Sequence, residues 1–350
     1  MSKTAIEVDN VSMKFNLSRE KVDSLKDYIF KTIKREIQYN EFWALKNVSF
    51  SVEKGDRVGI LGLNGAGKST TMNMITGYID PTDGEIIVNG VDVAKKPRKA
   101  KKQIGYMPES VPLYQELTVK EFIRYMAEIK LVKHKEIKEE VNKVLEEVGL
   151  KDVENKLIRN LSRGYKQRVG IAGALIGNPD VIILDEPTVG LDPKQITEIR
   201  DLIKKLGKSH TVILSSHILP EVSQICEKVI IINKGKFVAE DTPKNLSDKL
   251  GDNKKMLFRI SGDRKKAENI LNSFDGISNV TCVSSENDSY DFEFDNAMAA
   301  EEKKKMFFAF AENEIPILMQ KEIEPSLEDI FLKLTDNTSE KEENTNESDI

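Results

Sequence analysis

Apolar and polar positions change their spacing several times along the chain, and each change predicts an element. Strands are predicted over 6–11 and 12–15, and strand-like text resumes over 44–52. Between them, residues 16–43 form an insertion. Val22, Leu25, Ile29, Ile33 and Ile37 recur there at spacings of three and four between Lys and Glu residues, which predicts an amphipathic helix. Lys54-Gly55-Asp56 turns the chain into a short buried strand over 57–61, followed by a glycine-rich stretch and a helix over 68–78. Pro81-Thr82-Asp83-Gly84 is a further turn, into a strand over 85–88. From 118 to about 160 the text is helical; Thr118 and Glu121 have capping-box spacing, and Gly149 ends one helix. Apolar strands over 181–184, 211–215 and 229–233 then alternate with helices, which predicts an α/β domain on a largely parallel sheet.

The composition turns polar at 248–254, and a domain boundary is placed there. Beyond it the pattern predicts strands over 256–260, 277–283, 290–294 and 316–321. Helices over 264–274 and 297–313 interleave with them, and a last helix covers 326–334. That is a split βαβ, ferredoxin-like order. The expected organisation is a domain over 1–247 carrying the 16–43 insertion, a small α+β domain over 253–334, and a tail over 335–350. Residues 336–350 hold six acids and one base, a net of −5 that equals the formal charge of all 350 residues, so the rest is neutral. The tail has almost nothing apolar to bury and is expected to be disordered. A neutral body argues against a nucleic-acid partner. No stretch of about 18 apolar residues exists, so no membrane-spanning helix is expected, and the start carries no secretory signal pattern. Two cysteines, Cys226 and Cys282, lie far apart and suit a reducing compartment.

The chemistry concentrates at a few points. Gly62-Leu63-Asn64-Gly65-Ala66-Gly67-Lys68-Ser69-Thr70 matches G-x-x-x-x-G-K-S between a predicted strand and a predicted helix. Glycines let backbone N–H groups converge on phosphate oxygens, and the helix N-terminus adds a positive dipole end. Lys68 is placed to reach the β- and γ-phosphates, and the Ser69 hydroxyl to ligate Mg²⁺. A plain glycine turn would not need Lys and then Ser at its end. The 181–184 strand delivers Asp185 and Glu186 at its C-terminal end, where ligands bind in open α/β sheets. Asp185 is the candidate for the same Mg²⁺, and Glu186 for general base or water-positioner. His217 follows the 211–215 strand, where a sensor of the γ-phosphate belongs. Six basic residues crowd 95–102. They read first as a solvated helix start, and alternatively as a contact for anionic lipid or the acidic tail.

Leu161-Ser162-Arg163-Gly164-Tyr165-Lys166-Gln167-Arg168 precedes a helix upstream of Asp185. With the phosphate loop, the carboxylate pair, the Gly190-Leu191-Asp192 loop and His217, it appears in the order of the ATP-binding cassette (ABC) ATPases. Over about 1–247 the chain resembles that family, which implies a P-loop NTPase fold of ABC type with a helical subdomain. The resemblance implies that Ser162 and Gly164 contact the γ-phosphate held by a second copy, that Asp192 sits at that dimer interface, and that Phe15 stacks on adenine. Phe42 and Trp43 compete for the last role. Two departures stand out: Arg163 and Tyr165 replace a glycine and the glutamine of the usual Leu-Ser-Gly-Gly-Gln, and Glu109 stands where the family usually has glutamine. Glu109 is still expected to reach Mg²⁺ through water. Both departures, with Pro325 to Phe331, resemble the branch serving ABC-2 type exporters; Phe42-Trp43-Ala44-Leu45 and the insertion resemble ATPases of polysaccharide or teichoic acid export.

The resemblance implies an ATPase that closes as a dimer around two ATP, with itself or a related ATPase. It would drive export through a separate integral membrane permease contacted by 109–131, at the cytoplasmic face of the cell membrane. The alternative is a soluble ABC ATPase acting on ribosomes or DNA.

Overall fold

The computed structural model describes residues 3–18, 39–249, 254–286 and 288–323. The chain divides into two compact units, Met1–Pro243 and Lys244–Ile350. The division falls a few residues ahead of the polar stretch at 248–254. Composition marks where polarity rises, whereas packing separates at the start of the helix Pro243–Lys249.

The first unit opens with two long strands, β1 (Thr4–Ser18) and β2 (Tyr39–Glu53). They pair antiparallel from Thr4↔Glu53 out to Ser18↔Tyr39. This corrects the expected bounds of the insertion: 16–18 and 39–43 are strand, because cross-strand pairing supplies their backbone hydrogen bonds. The predicted helix itself lies almost wholly in 19–38, outside the described residues. β4 (Asp83–Val88) and the two-residue β5 (Val91–Asp92) complete an antiparallel sheet in the order β2-β1-β4-β5.

A second sheet carries the chemistry. Its order is β10-β9-β3-β8-β7-β6. The strands are β3 (Arg57–Leu61), β6 (Ile104–Met107), β7 (Val181–Leu184), β8 (Thr211–Ser216), β9 (Lys228–Asn233) and β10 (Lys236–Asp241). All neighbours are parallel except β10 with β9. Every residue of β7 and β8 is buried, as expected for strands covered on both faces. The two sheets share one core, in which Ile6, Leu45 and Val52 join Ile60, Ile183, Ile213 and Ile230. Helix α1 (Lys68–Ile75) ends three residues before the expected 78, because Gly77 takes φ +65°.

Helices α3 (Val119–Ile129), α4 (His134–Glu147) and α5 (Arg163–Leu175) pack together after the short α2 (Pro97–Lys101). The capping box forms: the Thr118 N–H donates to Glu121 Oε2 at 2.8 Å, and the Glu121 N–H donates to Thr118 Oγ1 at 3.3 Å. Helices α6 (Pro193–Leu206) and α7 (Leu219–Ile225) follow β7 and β8. Among the described residues no helix is long and apolar enough to cross a membrane.

The second unit is a four-stranded antiparallel sheet in the order β12-β13-β11-β14, from β11 (Lys254–Ser261), β12 (Ile277–Glu286), β13 (Ser289–Asn296) and β14 (Ile317–Ile323). Helices α9 (Arg264–Asn272) and α10 (Ala300–Glu312) complete it, α8 being Pro243–Lys249. Phe258, Phe292, Phe294 and Phe310 fill its core. The element order is the predicted strand–helix–strand–strand–helix–strand. The last predicted helix and the acidic tail lie outside the described residues.

Candidate functional site

The loop from Gly62 to Gly67 joins the C-terminal end of β3 to the N-terminus of α1. Its glycines answer to geometry. Gly67 takes φ +109° and Gly65 φ +78°, values open to glycine at little cost. A Cβ on Gly67 would lie 2.7 Å from Leu45 Cδ2, whereas Gly65 faces open space within 4 Å. Helix α1 begins without a side-chain cap, so its first N–H groups remain available to an anion. Lys68 is buried, and its ammonium donates to the Gly62 carbonyl at 2.8 Å and to the Leu63 carbonyl at 3.4 Å.

The register of β7 and β8 brings the acidic pair beside the loop. Lys68 Nζ lies 3.2 Å from Glu186 Oε1, with both side chains 7% exposed. His217 Nδ1 lies 3.1 Å from Oε2 and 3.3 Å from Oε1 of the same carboxylate. Asp185 and Glu186 are both buried. Asp185 does not face the Lys68 ammonium; its Oδ1 accepts from Ser215 Oγ at 2.5 Å. Glu186 takes φ +47°, a left-handed conformation that costs a non-glycine residue about 1–3 kcal/mol. Just past the end of β7, this left-handed residue carries the carboxylate that pairs with Lys68.

A cleft of about 470 Å³ gathers Lys68, Glu186 and His217, while Asp185 is not among the residues that line it. Leu63, Asn64, Gly65, Gly67, Lys68, Ser69 and Thr70 form its floor, and Glu109, Glu186 and His217 one wall. Phe15, Phe42 and Ala44 line it as well. Phe15 and Phe42 are cross-strand partners, so two of the three aromatic candidates share the cleft. Trp43 does not line it; Lys14 Nζ and Lys46 Nζ lie 5.5 and 5.6 Å from its ring. Gly62 and Ala66 are buried beneath the loop. Two hard oxygen donors, Ser69 in the first turn of α1 and Asp185 just after β7, together with an open anion cradle, fit a Mg²⁺ ion that keeps waters and takes phosphate oxygens as ligands. Among the described residues no cluster of three or more His, Cys, Asp or Glu forms a metal cage, and a phosphate-shared Mg²⁺ needs none.

Ser162, Gly164 and Asp192 lie outside the cleft. Ser162 caps α5, accepting from the Tyr165 N–H at 3.5 Å, and Asp192 caps α6, accepting from the Gln195 N–H at 2.9 Å. A Cβ on Gly164 would meet Gln195 Oε1 at 2.8 Å, so glycine lets these two helix starts approach. The Arg163 guanidinium lies over Gly190 and leaves no space there for a side chain. The signature and the 190–192 loop thus pack against each other within one chain. Sequence reasoning assigned no role to Ser215, or to Thr188, whose hydroxyl donates to Glu221 Oε2 at 2.5 Å. The aligned ends of β7 and β8 were the available signal for the first.

A second concavity, of about 400 Å³, opens between β6 and helices α3 and α5. Tyr114, Phe122, Tyr125, Met126 and Ile129 line it, and Tyr114 is 53% and Ile129 53% exposed. Tyr114 and Tyr125 meet edge-to-face at 5.3 Å. One residue beyond Ile129, the half-buried Lys130 donates its ammonium to the Ala174 and Ile176 carbonyls at 2.8 Å each. Burial lowers its pKa to about 8.

Comparison with known proteins places this geometry. The family described as ABC transporter matches residues 45–189. The linearmycin resistance ATP-binding protein of Bacillus subtilis (strain 168) is 34% identical over 303 residues, 86% of this chain and 96% of that protein. The bacitracin transport ATP-binding protein of Bacillus licheniformis is 37% identical over 315 residues, 87% of this chain and 97% of that one. A solved dimeric, post-hydrolysis ATP-binding cassette bound to ADP and Pi superposes with a TM-score of 0.57 at 26% identity, over 68% of this chain and 98% of that one. The chain belongs to the ATP-binding proteins of ABC transporters and is an ATPase on the P-loop cassette fold.

Proposed function

We propose that this chain powers export: two copies, or this chain and a related ATPase, close around two ATP and reopen on hydrolysis, driving a separate membrane permease. The observation that carries the catalytic half is the line Lys68–Glu186–His217, drawn around one carboxylate at the mouth of the phosphate loop. Bound ATP would lie along the cleft with its base against Phe15 and Phe42 and its phosphates over the N-terminus of α1. Lys68 would then exchange its Glu186 and carbonyl partners for β- and γ-phosphate oxygens, which frees Glu186 to accept a proton from the attacking water. His217 holds the Glu186 carboxylate and faces the γ-phosphate. Ser69 and Asp185 would hold Mg²⁺, with Glu109 reaching it through water; the ion would neutralise charge on the β- and γ-phosphates. Ser162 and Gly164 would close on the partner's γ-phosphate, with Asp192 beside them. Ser162 is exposed at the N-terminus of α5, where the helix dipole favours an anion.

The aromatic groove between β6, α3 and α5 supports the permease half. Residues on both sides of Glu109, Pro108 and Val111 among them, line it, and its apolar lining fits an amphipathic helix from a partner. Export is favoured over import because the resistance and bacitracin transport relatives match over nearly their whole length. Glu109, Arg163 and Tyr165 fit the ABC-2 type branch, and association with the cytoplasmic face of the membrane would come through the permease. The test is a pull-down from detergent-solubilised membranes with Glu186→Gln protein and ATP. A co-purifying multi-span protein is expected. Recovery of ribosomes or nucleic acid without a membrane protein would replace this reading with a soluble ATPase.

A further inference from the structure

The geometry points to Ser215 as the residue that positions both acidic groups of the hydrolytic site, a role that rests on the assignment of Asp185 and Glu186 above. The β7–β8 register pairs Leu184 with Leu214, so the next residue of each strand, Asp185 and Ser215, emerge side by side. The Ser215 hydroxyl is spent in two directions. It donates to Asp185 Oδ1 at 2.5 Å and accepts from the Glu186 N–H at 2.9 Å. Ser215 is fully buried, Asp185 2% exposed and Glu186 6%, so water does not readily replace either bond. A hydroxyl has one proton to give. With that proton on Oδ1, the Asp185 carboxylate is fixed in rotation and its other oxygen remains for a metal. With a lone pair on the Glu186 N–H, the peptide entering the left-handed turn at φ +47° is tethered. One side chain on the neighbouring strand thus sets the aim of the carboxylate that holds the ion and of the one that faces the water.

The contact lies two residues before His217, on the same strand end. A shift of β8 against β7 would therefore change where His217 lies relative to Asp185 and Glu186. An aliphatic residue would satisfy neither bond and would leave the Glu186 N–H buried without a partner.

Full-length Ser215→Ala, Ser215→Thr and Ser215→Val proteins test this, the last two having nearly equal volume and differing in the hydroxyl. Two readouts are needed: kcat for ATP, and binding of a fluorescent ATP analogue in EDTA and across a Mg²⁺ titration, which requires no turnover. Ser215→Ala is expected to lower kcat at least about tenfold, the loss of a hydrogen bond to a charged group. Its affinity in EDTA should be unchanged and its half-saturating Mg²⁺ raised. Thr should recover most of both losses and Val neither. Parental kcat and Mg²⁺ response in Ser215→Ala would overturn the proposal, as would Val matching Thr, or a loss of EDTA affinity in step with kcat. If Ser215→Ala aggregates, the Thr and Val pair decides. If the parental chain binds nucleotide but does not hydrolyse it, the catalytic reading of Glu186 falls; a shifted Mg²⁺ titration in Ser215→Ala would still uphold Ser215, and an unshifted one would sink it.

Discussion

Lys68 and Glu186 compete and cooperate over one small volume. Each is buried, and each is the other's ionic partner at 3.2 Å. Removing one partner of a buried pair strands a charge, so variants here act on more than the nucleotide. Glu186→Gln keeps the shape and removes the base. Turnover is expected to fall at least about a hundredfold while ATP binding persists and the closed dimer accumulates, measured by phosphate release and size-exclusion chromatography with ATP. Parental turnover would show that another group positions the water. Lys68→Ala removes the donor to the phosphates, and ATP affinity should fall at least about tenfold, read by nucleotide titration at fixed Mg²⁺. Unchanged binding would undo the argument built on the phosphate loop.

At the level of elements, Lys130 shows how the helical region is tied to the rest of its unit. It follows α3, yet its ammonium caps the carbonyl end of α5, the helix whose other end is Ser162. Burial holds its pKa near 8, below the ordinary value of about 10.4. Below pH 8 both folded and unfolded chains carry the proton, and the cost of the buried charge is present in full. Between about 8 and 10.4 the unfolded chain binds more protons, so this group makes stability rise with pH. The melting temperature of the parental chain minus that of Lys130→Met should therefore increase from about pH 8 to pH 10. A flat difference across that range would show that Lys130 titrates as an exposed lysine does.

For the whole molecule, the two units have separate cores, one of aliphatic residues across two sheets and one centred on four phenylalanines. The chemistry lies in Met1–Pro243. Deleting 336–350 removes a net charge of −5 and leaves every described residue of the cleft in place, so ATP turnover is expected to stay within about twofold of the parental rate, within the range of surface changes. A larger loss would make the tail part of the cycle.

Local sequence was enough wherever chemistry is written into a contiguous run. Gly62 to Thr70 declares an anion cradle because its glycine spacing, its lysine and the helix start are all neighbours in the chain. Asp185 and Glu186 were legible because four apolar residues bury a strand and leave two acids at its end. The βαββαβ order of the second unit was also readable, since each element carries its own period. Other features depend on residues far apart in sequence. The pairing of 16–18 with 39–41 extends two strands into the ends of the expected insertion, since cross-strand bonds act over distances that periodicity does not sense. Phe42 joins Phe15 in the cleft, and Trp43 is left out, because alternate residues of one strand face opposite sides. The joint hold of Ser215 on Asp185 and Glu186 arises only when β8 lies parallel to β7 in one register. Sequence by itself determined which groups were present and which run is the candidate phosphate cradle; tertiary structure decided that Glu186 pairs with the lysine, because strand register brings the end of β7 beside the loop.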